Sequence, residues 1–352
     1  MRFPVTLSIL TVLILCPTYG GPVRLDLLGR DRRVSVKRVA LNPDDPRQRR
    51  IGALTFLGGV TLAGQDAAFG GFSSLSIKGD RFTLLSDGGN IVRFRLGPDF
   101  AVSHVRFAEL PAGPGSGWRK QDRDSESMTL DPHGTIWVGF ENYNAIWRYG
   151  PGFTPPAKGA RPSSMRHWPK GGGAESMVRL ADGRFLVIGE TAHPPHRRDR
   201  RIALMFDRDP VAGPRRGFTF SYVPPAGGYD PSDATQLPDG RLIVLNRKLD
   251  LPAFRWGAAL VLIDPANMKP GAVVAGREIA RIEEPLTVDN YEGVTATKEG
   301  GATILWLVSD DNQSMLQRTL LMKFRLDLDR TPAARASDGR RAGDEAAPAG
   351  RR

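Results

Sequence analysis

One pattern occurs five times in this chain, and any fold must accommodate all five copies. They occupy residues 72–89 (FSSLSIKGDRFTLLSDGG), 124–142 (DSESMTLDPHGTIWVGFEN), 174–190 (AESMVRLADGRFLVIGE), 230–247 (DPSDATQLPDGRLIVLNR) and 290–312 (NYEGVTATKEGGATILWLVSDDN). Each copy starts with a small or acidic residue and a short alternating strand. A glycine-centred turn follows, then a strongly apolar strand that ends in a polar or acidic group. A DG-type turn between two apolar-alternating runs is a β-hairpin signal. The equivalent positions Ser73, Glu126, Glu175, Ser232 and Glu292 stand 49 to 60 residues apart. Repeats of that length built from strands are the mark of propeller blades, with the extra length in loops.

Further short strands follow the copies, at residues 91–96, 145–149, 203–206, 259–263 and 320–326, and each is read as the third strand of its blade. Residues 105–110 and 218–223 supply outer strands. Residues 53–62 (ALTFLGGVTL) lack the hairpin marker and are placed in the last blade, pairing with the C-terminal strands to close the ring. Five clear copies and this sixth partial one predict an all-β propeller of six blades, with five as the alternative. Amphipathic helical runs between copies are absent, which argues against βαβ architectures.

Residues 1–20 read as a secretory signal. Arg2 precedes an apolar run too short to span a bilayer, and Thr18 and Gly20 give small residues near a cleavage point. Residues 21–329 are then a single propeller domain in a periplasmic or secreted protein, and residues 330–352 a disordered tail. No later stretch has transmembrane length, and the protein is expected to be a monomer. Cys16 is the only cysteine, so the mature chain has no disulfide, thiol nucleophile or zinc–thiolate site. The net charge of +11 sits mostly in arginine clusters such as Arg197, Arg198, Arg200 and Arg201. It favours small anionic partners. No aromatic residues interleave with these clusters, as nucleic-acid binding would require.

Equivalent strand ends in a propeller meet around its axis. Here they would gather Asp124, Glu126, Glu175, Asp230, Asp233 and Glu292 from the starts of the copies. From the ends of the apolar strands they would gather Asp87, Glu141, Asn142, Glu190, Asn246, Asp310, Asp311 and Asn312. Carboxylates and amides are hard oxygen donors suited to a divalent metal, Ca²⁺ above all. Crowded carboxylates also need a cation to stay ionised together. The expected metal ligands are Asp87, Glu126, Glu141, Glu175, Glu190, Asp233, Asn246, Glu292 and Asp310, and Glu126, Glu175 and Glu292 are expected to be catalytic. There is no GxSxG and no phosphate-binding glycine loop.

Taken together, the motifs GGFSSLSI, DSESMTL, GGAESMVRL, YDPSDATQLPDGRLIVLNR and DNYEGVTA resemble the phytase-like family of exported bacterial proteins, described by an "esterase-like activity of phytase". The match runs over residues 53–326. The resemblance implies a propeller and a hydrolase of phosphoester or carboxylester bonds. The pattern is also similar to calcium-dependent lactonase propellers, in which Glu, Asn and Asp from successive blades hold one ion. A non-catalytic binding propeller of the cell envelope is the alternative, because the fold alone does not choose a function.

Overall fold

The computed structural model of the protein describes residues 26–213 and 216–328. The signal and the tail predicted from the sequence lie outside them. In chain order, an N-terminal segment gives β1 (Val34–Arg38), β2 (Arg50–Ile51) and β3 (Leu54–Gly64). The first blade is β4 (Phe72–Lys78), β5 (Arg81–Ser86), β6 (Asn90–Leu96) and β7 (Val102–Glu109). The second is β8 (Ser125–Leu130), β9 (Ile136–Phe140), β10 (Ala145–Gly150) and β11 (Thr154–Ala160). The third is β12 (Ala174–Arg179), β13 (Phe185–Gly189), β14 (Arg201–Phe206) and β15 (Gly217–Val223). The fourth is β16 (Asp230–Gln236), β17 (Leu242–Asp250) and β18 (Arg255–Ile263). From the crossover that follows, β19 (Val273–Ala275) adds in parallel to β15, and β20 (Arg277–Ile282) completes the fourth blade. The fifth blade starts with β21 (Asn290–Glu299), β22 (Ala302–Asp310) and β23 (Thr319–Leu326).

The ring has five blades, the smaller of the two predicted counts. Residues 53–62, taken as a trace of a sixth blade, form β3. It pairs antiparallel with β23, from Thr319 opposite Leu62 to Leu326 opposite Leu54. β1 covers its other edge. One blade thus draws its outer strands from the start of the fold and its inner strands from the end, which joins the sheet edges an open ring would expose. The innermost strands β4, β8, β12, β16 and β21 each neighbour the next, and β21 returns to β4.

The apolar runs of the second strands have a direct physical cause. Alternate residues of a strand face opposite sides, and each blade is packed on both sides. Leu242 and Val244 of β17 pack towards the third blade, while Ile243 and Leu245 pack towards the fifth. Five buried clusters result, one at each blade interface. The far-end hairpins turn at Gly134, Gly183 and Gly240, with φ of 88°, 91° and 91°. Glycine takes this conformation without steric cost. No helix among the described residues is long and apolar enough to cross a membrane.

Candidate metal centre at the channel mouth

All five innermost strands carry a β-bulge at the same place. Their pairing with the second strands slips by one residue between Phe72 and Ser74, Ser125 and Ser127, Ala174 and Ser176, Pro231 and Asp233, and Tyr291 and Gly293. The extra residues are Ser73, Glu126, Glu175, Ser232 and Glu292, the markers of the sequence repeat. A bulge takes one residue out of the ladder and re-aims its side chain. Ser73 and Ser232 bond sideways to the next inner strand, at Ser125 O (2.6 Å) and Tyr291 O (3.1 Å). The three glutamates are buried as well, at 8%, 4% and 6% exposure. Glu126 lies near enough to Glu175 and Glu292 for their charges to interact.

A second ring comes from the residues at the mouth ends of the second strands, which are Asp87, Glu141, Glu190, Arg247 and Asp310. Opposite three of them stand Asp124, Asp230 and Asn290. One blade therefore presents an arginine where the other four present an acid. Arg247 Nη2 bonds Glu190 Oε1 at 2.9 Å and Glu292 Oε1 at 3.3 Å. Glu292 Oε1 also accepts from Asn290 Nδ2 at 2.7 Å. Lys120, on the loop entering the second blade, pairs with Asp87. Asn142 donates to Asp124, and the Gly172 amide donates to Glu141. Asp124, Glu126 and Glu141, all from the second blade, bring one carboxylate oxygen each within 4.8 Å of one another.

Burial and crowding disfavour charge on these acids. Burial lifts Glu126 well above the ordinary carboxylate range, and Glu141, Asp124 and Glu292 add to the lift. Glu175 rises for the same reasons, through burial and the Glu190 and Glu126 charges, against the pull of Arg247. Asp310 is also raised well above its usual value by burial and by Glu292 and Asp87. Burial, the hydrogen bond that protonated Asp124 donates to Glu141 and the Glu141 charge push Asp124 up to about 8. Burial brings Glu292 to about 7, restrained by Arg247 and Asn290. Burial opposes the charge of Arg247, yet Glu292, Glu190, Glu175 and Glu126 outweigh it and hold the guanidinium protonated.

Of the predicted ligands, Asp87, Glu126, Glu141, Glu175, Glu190, Glu292 and Asp310 come together, joined by Asp124. Two others are placed elsewhere. Asp233 accepts from the Ala234 and Val294 amides, both at 2.8 Å, and ties the fourth blade to the fifth. Asn246 accepts from Tyr222 Oη at 2.9 Å and donates to Val244 O and Ala259 O inside its own blade. Each lies one residue from the position equivalent to the gathered acids, Ser232 and Arg247 respectively, and in a strand one residue changes the face. Sequence reasoning passed over Lys120 and Arg247 as members of the centre. Arg247 was within reach, as the residue aligned with Asp87, Glu141, Glu190 and Asp310. Lys120 sits in a loop outside the repeat and left no signal. The arginine-rich loop is partly neutralised, since Arg197 pairs with Asp199 and Arg201 with Asp230.

Residues 67–313 match the family named phytase-like and described as "Esterase-like activity of phytase". No curated protein matches the chain. Among solved structures it is similar to an endo-arabinase from Bacteroides thetaiotaomicron, with 11% identity over 73% of this chain and 94% of that one and a TM-score of 0.46. It is similar to the PQQ-bound aldose sugar dehydrogenase from Streptomyces coelicolor at 13% identity, covering 84% and 99%, with a TM-score of 0.41. It is also similar to virginiamycin B lyase from Staphylococcus aureus at 12% identity, covering 84% and 100%, with a TM-score of 0.38.

Proposed function

The chain belongs to the phytase-like family, and from that premise we propose that it hydrolyses ester bonds, phosphoester or carboxylester, at the acidic mouth of its channel with the help of a divalent cation. One observation carries the reading. Asp124, Glu126 and Glu141 converge to within 4.8 Å, inside a group of eight carboxylates whose countercharge among the described residues comes from Arg247, Lys120 and, at Glu190, Arg201. The donor set fits a hard cation, because every donor is an oxygen and the oxygens are too crowded to remain ionised alone. Asn290 Oδ1 adds a buried acceptor with no donor beside Glu292. Asp124, Glu126 and Glu141 would hold the ion, and Ca²⁺ suits them best.

A cation bound there supplies Lewis acidity and a water of lowered pKa. The protein's own contribution is arrangement. The bulges present Glu126 and Glu175 side by side, and Glu175 is the carboxylate left to hold or move a proton. Arg247 and Asn290 fix Glu292. Walls of packed blades keep bulk water from Glu126, Glu175, Glu292 and Asp310, which strengthens the charge interactions among them.

The pairing of Arg247 with Glu190 and Glu292 favours a second reading, in which the acids are structural and the propeller only binds a partner. One assay separates the two. Purified protein is offered 4-nitrophenyl phosphate, phytate, aryl carboxylesters and lactones. Turnover of at least one of these is expected, abolished by EDTA, restored by Ca²⁺, and lowered roughly hundredfold or more in Glu126→Gln. Turnover indifferent to chelator would remove the ion from the reaction, and no turnover on any ester would favour the second reading.

A further inference from the structure

Beside the acidic mouth, between the second and third blades, lies a depression of about 710 Å³ with the opposite electrostatic character. It is walled by Arg161, Arg166 and Lys170, from the loop between β11 and β12, together with Tyr143, Asn144 and Trp168. All three cationic residues are exposed. Among the described residues none of them pairs with a carboxylate. Arg161 stacks its guanidinium over the Tyr143 ring at 4.8 Å, and Arg166 and Lys170 have no side-chain partner. Three unpaired cations facing one depression repel one another, and an anion relieves that repulsion. Asn144 and Trp168 each keep one buried polar atom, Oδ1 and Nε1, without a partner in the protein. Buried polar atoms are rarely left so, and of the two only Trp168 Nε1 is a donor, the kind of group an anion or its bound water uses.

The depression adjoins the acids directly. Asn142, the hydrogen-bond donor to Asp124, is part of its lining, and Gly172, the amide donor to Glu141, lies two residues beyond Lys170. We infer that this depression is a subsite for an anionic group of the substrate, remote from the ester bond that is cleaved. An ester seated with its negative group among Arg161, Arg166 and Lys170 extends its other end towards Asp124 and Glu141. The preferred substrate is then an organic ester that carries a second, permanently charged phosphate or carboxylate, with an apolar or aromatic frame covering Tyr143. As an anion site the depression stands on its own geometry, whereas its role as a substrate subsite rests on the hydrolase reading above.

Phenyl phosphate titrated into the protein in EDTA, followed by calorimetry, tests the site without any bound cation at the acids. Saturable binding is expected, absent for neutral phenol, unchanged in Glu126→Gln, and weakened at least about tenfold in the triple variant Arg161→Ala, Arg166→Ala, Lys170→Ala. Equal binding of phenol, no saturable binding, or full affinity in the triple variant overturns the site. Loss of binding in Glu126→Gln but not in the triple variant places the anion at the acids and likewise overturns it. In the Ca²⁺-loaded protein, kcat/KM for 4-acetoxybenzoate is compared with that for 4-nitrophenyl acetate. The preference for the charged ester should fall about tenfold in the triple variant, and an unchanged preference overturns the subsite. Anion binding without turnover of any ester defeats the hydrolase reading and leaves the anion site in place.

Discussion

Asn246 and Arg247 are adjacent residues that do opposite work. Asn246 is fully buried, holds two carbonyls of its own blade and accepts from Tyr222 of the third blade. Arg247 reaches the channel and neutralises Glu190 and Glu292. Asn246→Ala should cost about 1–3 kcal/mol of stability, because it leaves the Tyr222 hydroxyl unpaired, without changing cation binding. Arg247→Leu should cost about 3–5 kcal/mol at neutral pH by stranding two buried acids. That loss should shrink towards pH 5, where those acids carry protons instead. Urea unfolding at the two pH values, with calorimetric titration of Ca²⁺, measures both effects, and an Asn246→Ala protein that loses its Ca²⁺ affinity would contradict the assignment. The acids at Glu126, Glu175 and Glu292 were legible because a hairpin needs no glutamate at that position. The choice between Ser232 and Asp233, or between Asn246 and Arg247, could be read only by aligning all five copies, not from the fourth copy alone. It turns on strand parity after a bulge, and the bulge leaves no mark in a single repeat.

At the scale of the element, each hairpin could be read from its turn glycine and its doubly buried second strand, and so could the third strands. The role of β3 was anticipated as well, but its separate weight in the blade count was not. A strand that pairs with a partner more than 250 residues away looks, in sequence, like a unit of its own. Val60 sits in the middle of this closing strand, opposite both Arg38 of β1 and Leu321 of β23, and is fully buried. Proline there removes a ladder hydrogen bond in a strand paired on both sides. Val60→Pro should therefore lower stability by about 3 kcal/mol or more and weaken cation binding in parallel, since the closed ring brings the fifth blade's Glu292 and Asp310 to the acids of the second. Thermal unfolding and limited proteolysis would read the first effect, and calorimetric titration of Ca²⁺ the second. Wild-type stability in this variant would mean that closure is not where the ring is held.

For the whole molecule, the acid centre sets how stability varies with pH. Glu292 is brought to about 7 and Asp124 to about 8 when no cation is bound, in both cases first by burial. A carboxyl whose pKa is raised on folding binds more protons folded than unfolded, so stability falls as pH climbs from the unfolded value near 4 through the raised one. The metal-free protein should thus lose stability steadily from pH 5 to pH 8. Saturating Ca²⁺ should flatten that decline by holding the carboxylates ionised. Differential scanning calorimetry across that range, with EDTA and with Ca²⁺, tests it, and parallel curves would show that no cation reaches the acids. The closure of the fifth blade from both extremities of the fold has a further result. In a chain still emerging from the ribosome the second blade can already gather Asp124, Glu126 and Glu141, but Glu292 joins them only when β23 pairs with β3, so the full acid centre exists only once folding is finished.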